Sequence, residues 1–138
     1  FQSFRVGVEL FLWLLFMVAL VPVQMTFEGR NWDILTGLSA PLVVWLWVRK
    51  PQWQRPLVLF WNLAGLALLV NIVGISILSM PTAFQVFTNA PSNTFVASFP
   101  FVWLPSFLVP LALLGHCLSL RQWALQGKTA RSFIAEGA

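Results

Sequence analysis

The chain has 138 residues, of which 59% are hydrophobic and 9% charged, and its formal net charge is +4. Soluble domains are typically about 45–50% apolar and about 25% charged, so this chain has too few polar side chains to cover a water-exposed surface. The high proportion of apolar residues argues against a soluble enzyme and a disordered chain, and the single cysteine argues against a disulfide scaffold. This composition predicts a single-domain integral membrane protein.

Four apolar runs have about the length that an α-helix needs to cross a bilayer, roughly 20 residues at 1.5 Å each. They cover residues 4–23, 33–49, 56–80 and 100–121. Because the runs are continuous and do not alternate between polar and apolar residues, they do not resemble the strands of a membrane β-barrel. We therefore expect an all-α, polytopic transmembrane bundle with four visible spans.

The two ends of the sequence lie outside these runs. The sequence opens with Phe1 rather than methionine and has no signal-peptide cleavage site before Pro22, so further helices upstream of Phe1 are an open alternative. The tail, residues 123–138, mixes aromatic side chains with cations. This composition is typical of a segment on the inner membrane surface, and a frayed end is the alternative.

The cations are distributed unevenly along the chain. With an even number of spans, the N-terminal end, the loop at 49–55 and the C-terminal tail share one side, which then carries every lysine and arginine except Arg30. The positive-inside rule makes that side cytoplasmic. Tryptophans would form belts at both boundaries, inner at Trp47, Trp53 and Trp123, and outer at Trp32 and Trp103. The positive charge thus indicates topology and anionic lipid, not nucleic acid.

Polar residues inside the expected spans are the first candidate site. Arg5, Glu9, Asn62 and His116 should lie at one depth in the inner leaflet. Because a charge at the centre of a span costs about 2.5–3.5 kcal/mol, each needs a partner. Arg5 and Glu9 have i, i+4 spacing, so Arg5 can neutralise Glu9 while reaching the interface. In the alternative, Glu9 faces the bundle interior and meets His116 as a proton-sensitive or ligand-holding pair.

His116 is the only histidine, and a lone histidine is more typical of a packed, hydrogen-bonded residue than of a ligand. The only cysteine, Cys117, is its neighbour on the same helix and points elsewhere, so we expect no metal site and no bis-histidine haem within one chain. A single imidazole can still bind the metal of a porphyrin or chlorin. The sequence requires no cofactor.

The loop between the first two runs forms an outer polar cluster. Its members are Gln24, Glu28, Arg30, Asn31 and Asp33. Asn31 or Asp33 can cap the second helix and complement its dipole. Glu28 and Arg30 flank a glycine turn, where an exposed ion pair would contribute little. The alternative interpretation is a binding site for a polar headgroup or a partner.

The third run carries two asparagines, Asn62 and Asn71, which are nine residues apart and so lie on opposite faces of a helix. Each is expected to bond to a different neighbour, which would make this helix central in the bundle or part of an oligomer interface. The uncharged loop after it, from Pro81 to Ser98, is expected to fold back onto the bundle or to dip into the interface. A lid over an outward cavity is the alternative.

The stretch from FRVGVELFLW to VPVQMTFEGRNWDILTG, about the first 40 residues, resembles a group of small bacterial integral membrane proteins with no assigned activity. The residues that carry the resemblance are Arg5, Glu9, Pro22, Gln24, Met25, Glu28, Gly29, Arg30, Asn31 and Asp33. The resemblance implies a bacterial inner membrane and no particular function.

The sequence contains no phosphate loop, nucleophile elbow, zinc-protease helix or twin-carboxylate set, so catalysis is not expected, although an intramembrane acid and base would escape such motifs. We expect a non-enzymatic binding or accessory subunit in a membrane assembly, either homo-oligomeric or with other membrane subunits. One alternative is a proton-coupled or small-solute carrier that uses Glu9, Asn62 and His116. Another is a pigment-, quinone- or lipid-binding membrane protein.

Overall fold

The computed structural model describes residues 2–136, with side chains as far as Gln126, and this part of the chain is all-helical. The α-helices are α1 (Phe4–Met17), α2 (Ile34–Arg49), α3 (Gln54–Leu78) and α4 (Val109–Glu136). Short 3-10 turns occur at Val23–Met25, Pro51–Trp53 and Phe95–Ala97, and a π-helical turn at Leu104–Leu108 precedes α4. The predicted all-α class is confirmed.

Helix α3 is central and packs against both α2 and α4. Two stretches are long and apolar enough to cross a membrane, Pro51–Leu78 and Leu104–Gln126, by length and composition alone. α4 runs antiparallel to α3, and at one end of the pair the Trp123 indole donates a hydrogen bond to the carbonyl of Arg55 at 3.0 Å.

Helix α1 is shorter than expected, because it ends at Met17 and not near residue 23. The chain leaves the helix at Ala19, which has a left-handed φ of 57°, and Pro22 prevents the helix from resuming there. The 14 residues of α1 and the 16 of α2 span about 21 and 24 Å. Both are below the roughly 20 residues that a span requires.

Helices α1 and α2 lie beside different halves of α3. Arg5, at the start of α1, donates to the carbonyl of Gly65 in the middle of α3, at 3.5 Å. Further along α1, Leu12 belongs to the same buried apolar cluster as Ile75 in the C-terminal half of α3. The N-terminal end of α1 therefore lies at the middle of the bundle, and not at the end shared by residues 49–55, where it was expected.

Helix α2 begins at this same middle level. A Cβ atom added to Gly37 would lie 2.7 Å from Val6 Cγ2 and 2.9 Å from Val6 N, so the glycine allows the starts of α1 and α2 to touch. Further along α2, the Trp61 indole of α3 donates to the Ser39 hydroxyl at 2.9 Å. α2 thus covers the N-terminal half of α3, in tandem with α1.

The connection between the two short helices, residues 18–33, runs back along α3, and we call it the returning segment. Gln24 donates to the Ser79 hydroxyl at 3.0 Å, near the end of α3. Asn71 of α3 donates to the carbonyl of Arg30 at 2.8 Å, two turns deeper. The segment therefore carries the chain from the end of the bundle to its middle, where α2 starts.

The loop at 81–98 folds back onto the bundle, as expected. Asn93 is fully buried and donates from its side chain to the carbonyl and hydroxyl of Ser76, each at 2.8 Å. Phe95 and Val96 then enter the apolar core beside Leu12.

At the other end of the chain, α4 continues through residue 127 to Glu136. The tail at 123–138 thus continues α4 as far as residue 136, its last two residues lie outside the described part, and its place on the inner membrane surface stays a prediction.

Candidate functional site

The interior of the bundle is unusually polar. Among the side chains described, the three largest that are completely buried belong to Arg5, His116 and Glu9. A buried charge or hydrogen-bonding group is tolerated only when it has partners, so the partners of these residues define a site. Together they form a cluster that we call the polar layer, which consists of Arg5, Glu9, Asn31, Asp33, Asn62 and His116.

Arg5 and Asp33 join the starts of the two short helices. Arg5 Nε lies 2.8 Å from Asp33 Oδ2, and the two side chains are 2% and 7% exposed. The expectation that Arg5 neutralises Glu9 at the interface is wrong, because α1 begins in the middle of the bundle. Asp33 occupies the N-cap position of α2 but makes no side-chain capping bond, so of the two predicted caps the one by Asp33 is wrong.

His116 lies between Arg5 and Asn62. Arg5 Nη1 is 3.2 Å from His116 Nε2, and His116 Nδ1 is 2.9 Å from Asn62 Oδ1. Because a guanidinium can only donate, Nε2 accepts, and Nδ1 carries the proton that it donates to Asn62. Both ring nitrogens are thus engaged by protein, which argues against the axial-ligand interpretation. Asn62 completes the chain by donating to the Ser119 hydroxyl at 2.9 Å.

Glu9 is held by the returning segment rather than by His116. Its Oε1 accepts a hydrogen bond from Asn31 Nδ2 at 2.5 Å, and the same nitrogen lies 3.0 Å from the carbonyl of Met25. Asn31 Oδ1 in turn accepts from the backbone N–H of Asp33 at 3.2 Å. Asn31 therefore fixes both carboxylate residues of the polar layer.

A glycine on α3 makes room for the histidine. A Cβ atom added to Gly65 would lie 2.5 Å from His116 Cε1 and 2.8 Å from His116 Nε2. The Trp61 ring packs on His116 with a centroid distance of 5.6 Å. The imidazole is thus fixed by contacts as well as by hydrogen bonds.

The structure merges two clusters that the sequence places on opposite sides of a membrane. Asn31 and Asp33, expected in an outer loop, lie beside Arg5 and Glu9 because the returning segment brings them to the middle of the bundle.

The other outer-cluster residues stay outside the polar layer. Glu28 accepts from the Trp13 indole at 2.6 Å, and the Arg30 guanidinium lies 5.4 Å from the Phe87 ring centre. In the described part of the chain these two side chains make these contacts rather than an ion pair with each other. Gln24 donates to Ser79 and accepts from Asn89 at 2.7 Å, which ties the returning segment to the 81–98 loop.

Sequence reasoning overlooks Ser119 and Trp61 and does not connect Gly65 with His116, although all three complete the surroundings of this histidine. A signal for two of them exists, because Ser119 is three residues after His116 and Gly65 is three residues after Asn62, a spacing that shares a helix face.

A cleft of about 340 Å³ opens from the polar layer between α1, the C-terminal half of α3 and the start of α4. We call it the main cleft. Its walls are apolar, with Val8, Leu12, Ile72 and Leu108 as examples, and it extends along α3 from Leu69 to Met80, about 17 Å at helical rise. Its ionisable lining consists of Arg5, Glu9 and Asp33, which we call the floor.

The floor has unused hydrogen-bonding capacity. Arg5 Nη2, Glu9 Oε2 and Asp33 Oδ1 are buried and have no hydrogen-bond partner among the residues that the structure describes. More than about 90% of buried polar groups in proteins do have one, so three such atoms in the lining of one cleft need an explanation. These atoms have almost no surface accessible to a water-sized molecule, so the floor side chains must rotate slightly before a molecule in the cleft can use this one donor and these two acceptors.

A second cleft of about 280 Å³ lies on the other side of Asn62, between α2, α3 and α4. Its lining includes Arg55 and Trp123, and also Asn62 and Ser119. Because Asn62 bonds to His116 and His116 contacts Arg5, a continuous set of polar contacts separates the two clefts.

Comparison with known proteins places the chain in one family. A family described as a domain of unknown function, DUF8737, matches residues 1–124, which include the whole polar layer. No curated protein and no solved structure matches the chain. Because the match covers most of the sequence, the chain belongs to the DUF8737 family.

Proposed function

We propose that the protein is an integral membrane protein that holds an amphipathic small molecule in the main cleft. The polar head of this molecule lies on the floor formed by Arg5, Glu9 and Asp33, and its apolar part lies along α1, α3 and α4. This develops the lipid- or quinone-binding alternative of the sequence analysis. The resemblance of the first residues supports a bacterial inner membrane.

The distribution of polar and apolar side chains supports embedding in a membrane. In the most apolar windows of Pro51–Leu78 and Leu104–Gln126, only 22% and 11% of the residues are buried. The core helix of a soluble protein would have most of them buried, because its apolar face packs inward. Here apolar side chains such as Phe60 and Val70 point outward, whereas the charged side chains of Arg5, Glu9 and Asp33 are buried inside the bundle.

The orientation follows from the cations that remain at one end of the bundle. Arg49, Lys50 and Arg55 lie at the turn between α2 and α3, and Trp123 of α4 contacts Arg55 there. By the positive-inside rule this end is cytoplasmic. The main cleft then lies in the opposite half of the bilayer, since it extends from the middle of α3 towards Met80.

The unpartnered atoms on the floor carry the proposal. Leaving a buried polar group without a partner costs about 1–3 kcal/mol, more if it is charged, and a bound polar head would remove this cost. The volume of about 340 Å³ falls within the range of about 300–1,000 Å³ that is common for small-molecule sites. Apolar walls with a few convergent polar groups are also typical of such sites.

The test is native mass spectrometry of the protein released from mild detergent, with two matched variants. Val73 lines the main cleft, whereas Val70 on the same helix is 70% exposed. We expect a bound amphiphile in the native protein, unchanged in Val70→Trp and reduced at least about tenfold in Val73→Trp, a loss of about 1.4 kcal/mol. A bare chain in every sample, or equal retention in the two variants, contradicts the proposal.

One observation favours a second candidate, the carrier that uses Glu9, Asn62 and His116. The polar layer lies between two clefts in different halves of the bundle, as the barrier of a carrier would. In proteoliposomes, a carrier moves labelled amphiphile between leaflets, and Glu9→Gln abolishes that movement. Retention without movement favours binding alone. A mass corresponding to several chains would favour the oligomeric or accessory interpretation.

A further inference from the structure

We infer that the main cleft selects an amphiphile whose head is uncharged and both donates and accepts hydrogen bonds, with a hydroxyl as the simplest case. The inference rests on the proposed function, because it assumes that the head lies on the floor. It specifies the chemistry of the head, which the proposed function leaves open.

The first argument is the match of donors and acceptors. Arg5 has five N–H groups: Nε faces Asp33, Nη1 faces His116 Nε2 and the carbonyl of Gly65, and Nη2 has no partner. Once a small rotation of the floor side chains exposes these buried atoms to the cleft, the floor offers a donor at Arg5 Nη2 and acceptors at Glu9 Oε2 and Asp33 Oδ1. A hydroxyl uses both the donor and an acceptor, since its oxygen accepts a hydrogen bond from the guanidinium and its O–H donates one to a carboxylate.

Other neutral or cationic heads use only part of this capacity. An ether or ketone oxygen accepts from Arg5 but leaves both carboxylate oxygens without a donor. An ammonium group donates to the carboxylates but faces the guanidinium of Arg5, which offers no acceptor.

The second argument is charge. The floor contains one guanidinium and two carboxylates, and the N-terminus of α2 beside Asp33 adds a partial positive charge of about +0.5. These charges nearly balance without a ligand. A carboxylate or phosphate head would add a further anion next to Glu9 and Asp33, between apolar walls where an uncompensated charge is most unfavourable.

The third argument is the shape of the site. The cleft continues from the floor for about 17 Å along α3, between apolar side chains such as Ile72 and Leu108. A ligand with a hydroxyl at the end of a long apolar chain therefore matches the site, because its hydroxyl lies on the polar floor and its chain lies along the apolar walls. Long-chain or isoprenoid alcohols, diacylglycerol and quinols share this chemistry.

Photolabelling with three probes tests the inference. The probes have the same alkyl chain with a tail diazirine, and their heads are a hydroxyl, a methyl ether and a carboxylate. With the protein in nanodiscs, we expect the hydroxyl probe to label main-cleft residues about tenfold more than either of the others. Competition by unlabelled isoprenoid alcohol, diacylglycerol or quinol then identifies which source binds best.

An isosteric variant tests the acceptor directly. In Glu9→Gln, the amide oxygen still accepts from Asn31, while the amide nitrogen replaces Oε2 and turns this acceptor of the floor into a donor. We expect the preference for the hydroxyl probe over the ether probe to fall from about tenfold to about twofold or less. Glu28→Gln is the matched control, since Glu28 is exposed and lies outside the cleft, and it keeps the preference.

The outcomes separate the inference from the function on which it rests. Equal or stronger cleft labelling by the carboxylate or ether probe overturns the inference and leaves binding in the cleft intact. If no probe labels the cleft of the native protein above the level seen in Val73→Trp, both the inference and the proposed function are overturned. If Glu9→Gln does not fold, the comparison of the three probes on the native protein still decides.

Discussion

Arg5 and Asp33 form an ion pair of 2.8 Å in the middle of the bundle, and it connects the starts of two helices that lie beside different halves of α3. If one long helix covered the whole length of α3, no ion pair between two helix starts would be needed there. Here the guanidinium also contacts His116 and the carbonyl of Gly65, so one side chain links α1, the start of α2, α3 and α4. The stability of the bundle should therefore depend strongly on this pair.

Substitution of Asp33 by asparagine should destabilise the protein severely. Asp33→Asn keeps the shape but leaves the Arg5 charge buried, and breaking a buried pair in this way typically costs about 3–5 kcal/mol. Thermal unfolding in detergent measures the effect. Glu28→Gln removes a carboxylate that is exposed, so it should change stability by less than about 1 kcal/mol. Similar melting temperatures for the two variants would mean that the pair does not hold the junction.

Two glycines of α3 should respond differently to alanine. In Gly65→Ala, the new methyl group would overlap His116, which must move away from Arg5 or Asn62, so we expect a loss of about 1–3 kcal/mol from overpacking. A Cβ atom on Gly74 meets nothing within 4 Å. Gly74→Ala should therefore be neutral or slightly stabilising, since alanine is favoured over glycine within a helix. Equal unfolding curves would rule out the close contact at Gly65.

His116 and Asn62 should be energetically coupled. A double-mutant cycle with His116→Ala and Asn62→Ala isolates their interaction, which we expect to be about 0.5–1.7 kcal/mol, the range of side-chain hydrogen bonds in membrane helices. The control cycle pairs His116 with Asn71, which bonds to the carbonyl of Arg30 instead, and should be additive. Additivity in both cycles would mean that the bond between His116 and Asn62 contributes nothing.

Cys117 provides a test of membrane embedding. It is the only cysteine in the chain, and it lies exposed on the outside of α4 next to the buried His116. In intact membranes, we expect no reaction with a membrane-impermeant maleimide from either side, and full reaction after denaturation in detergent. In Gln52→Cys, the new thiol in the exposed turn between α2 and α3 should react from the side that the proposed orientation makes cytoplasmic. Reaction of Cys117 with the same reagent in membranes would contradict a lipid-facing α4.

The sequence predicts α3 well, because its apolar run is bounded by strong local signals. The run at 56–80 corresponds to α3 at Gln54–Leu78, and Pro81 follows its end. The end of α1 could not be predicted in this way. The residues after Met17 are as apolar as those before it, so hydropathy alone extends the helix to residue 23, whereas contacts in the folded chain bury Val21 and Pro22 outside it.

Part of the candidate site can also be recognised from the sequence, because its polar residues interrupt the apolar runs. Arg5, Glu9, Asn62 and His116 stand out because ionisable and amide side chains are costly within apolar runs. Their partners depend on the path of the chain, which the sequence does not reveal. The assumption that each run spans the whole bilayer separates Asp33 from Arg5 by the thickness of a membrane, whereas the structure brings them into contact.

The returning segment has a consequence for how the chain tolerates changes in length. Its bonds from Gln24 to Ser79, from Asn31 to Glu9 and at Asp33 to Arg5 fix it at its outer end and at its inner end. A residue inserted between these points would shift the register of everything up to α2, and a deletion would pull a carboxylate away from its partner. Surface loops usually accommodate insertions and deletions, but this connection should behave like a core helix and keep a constant number of residues.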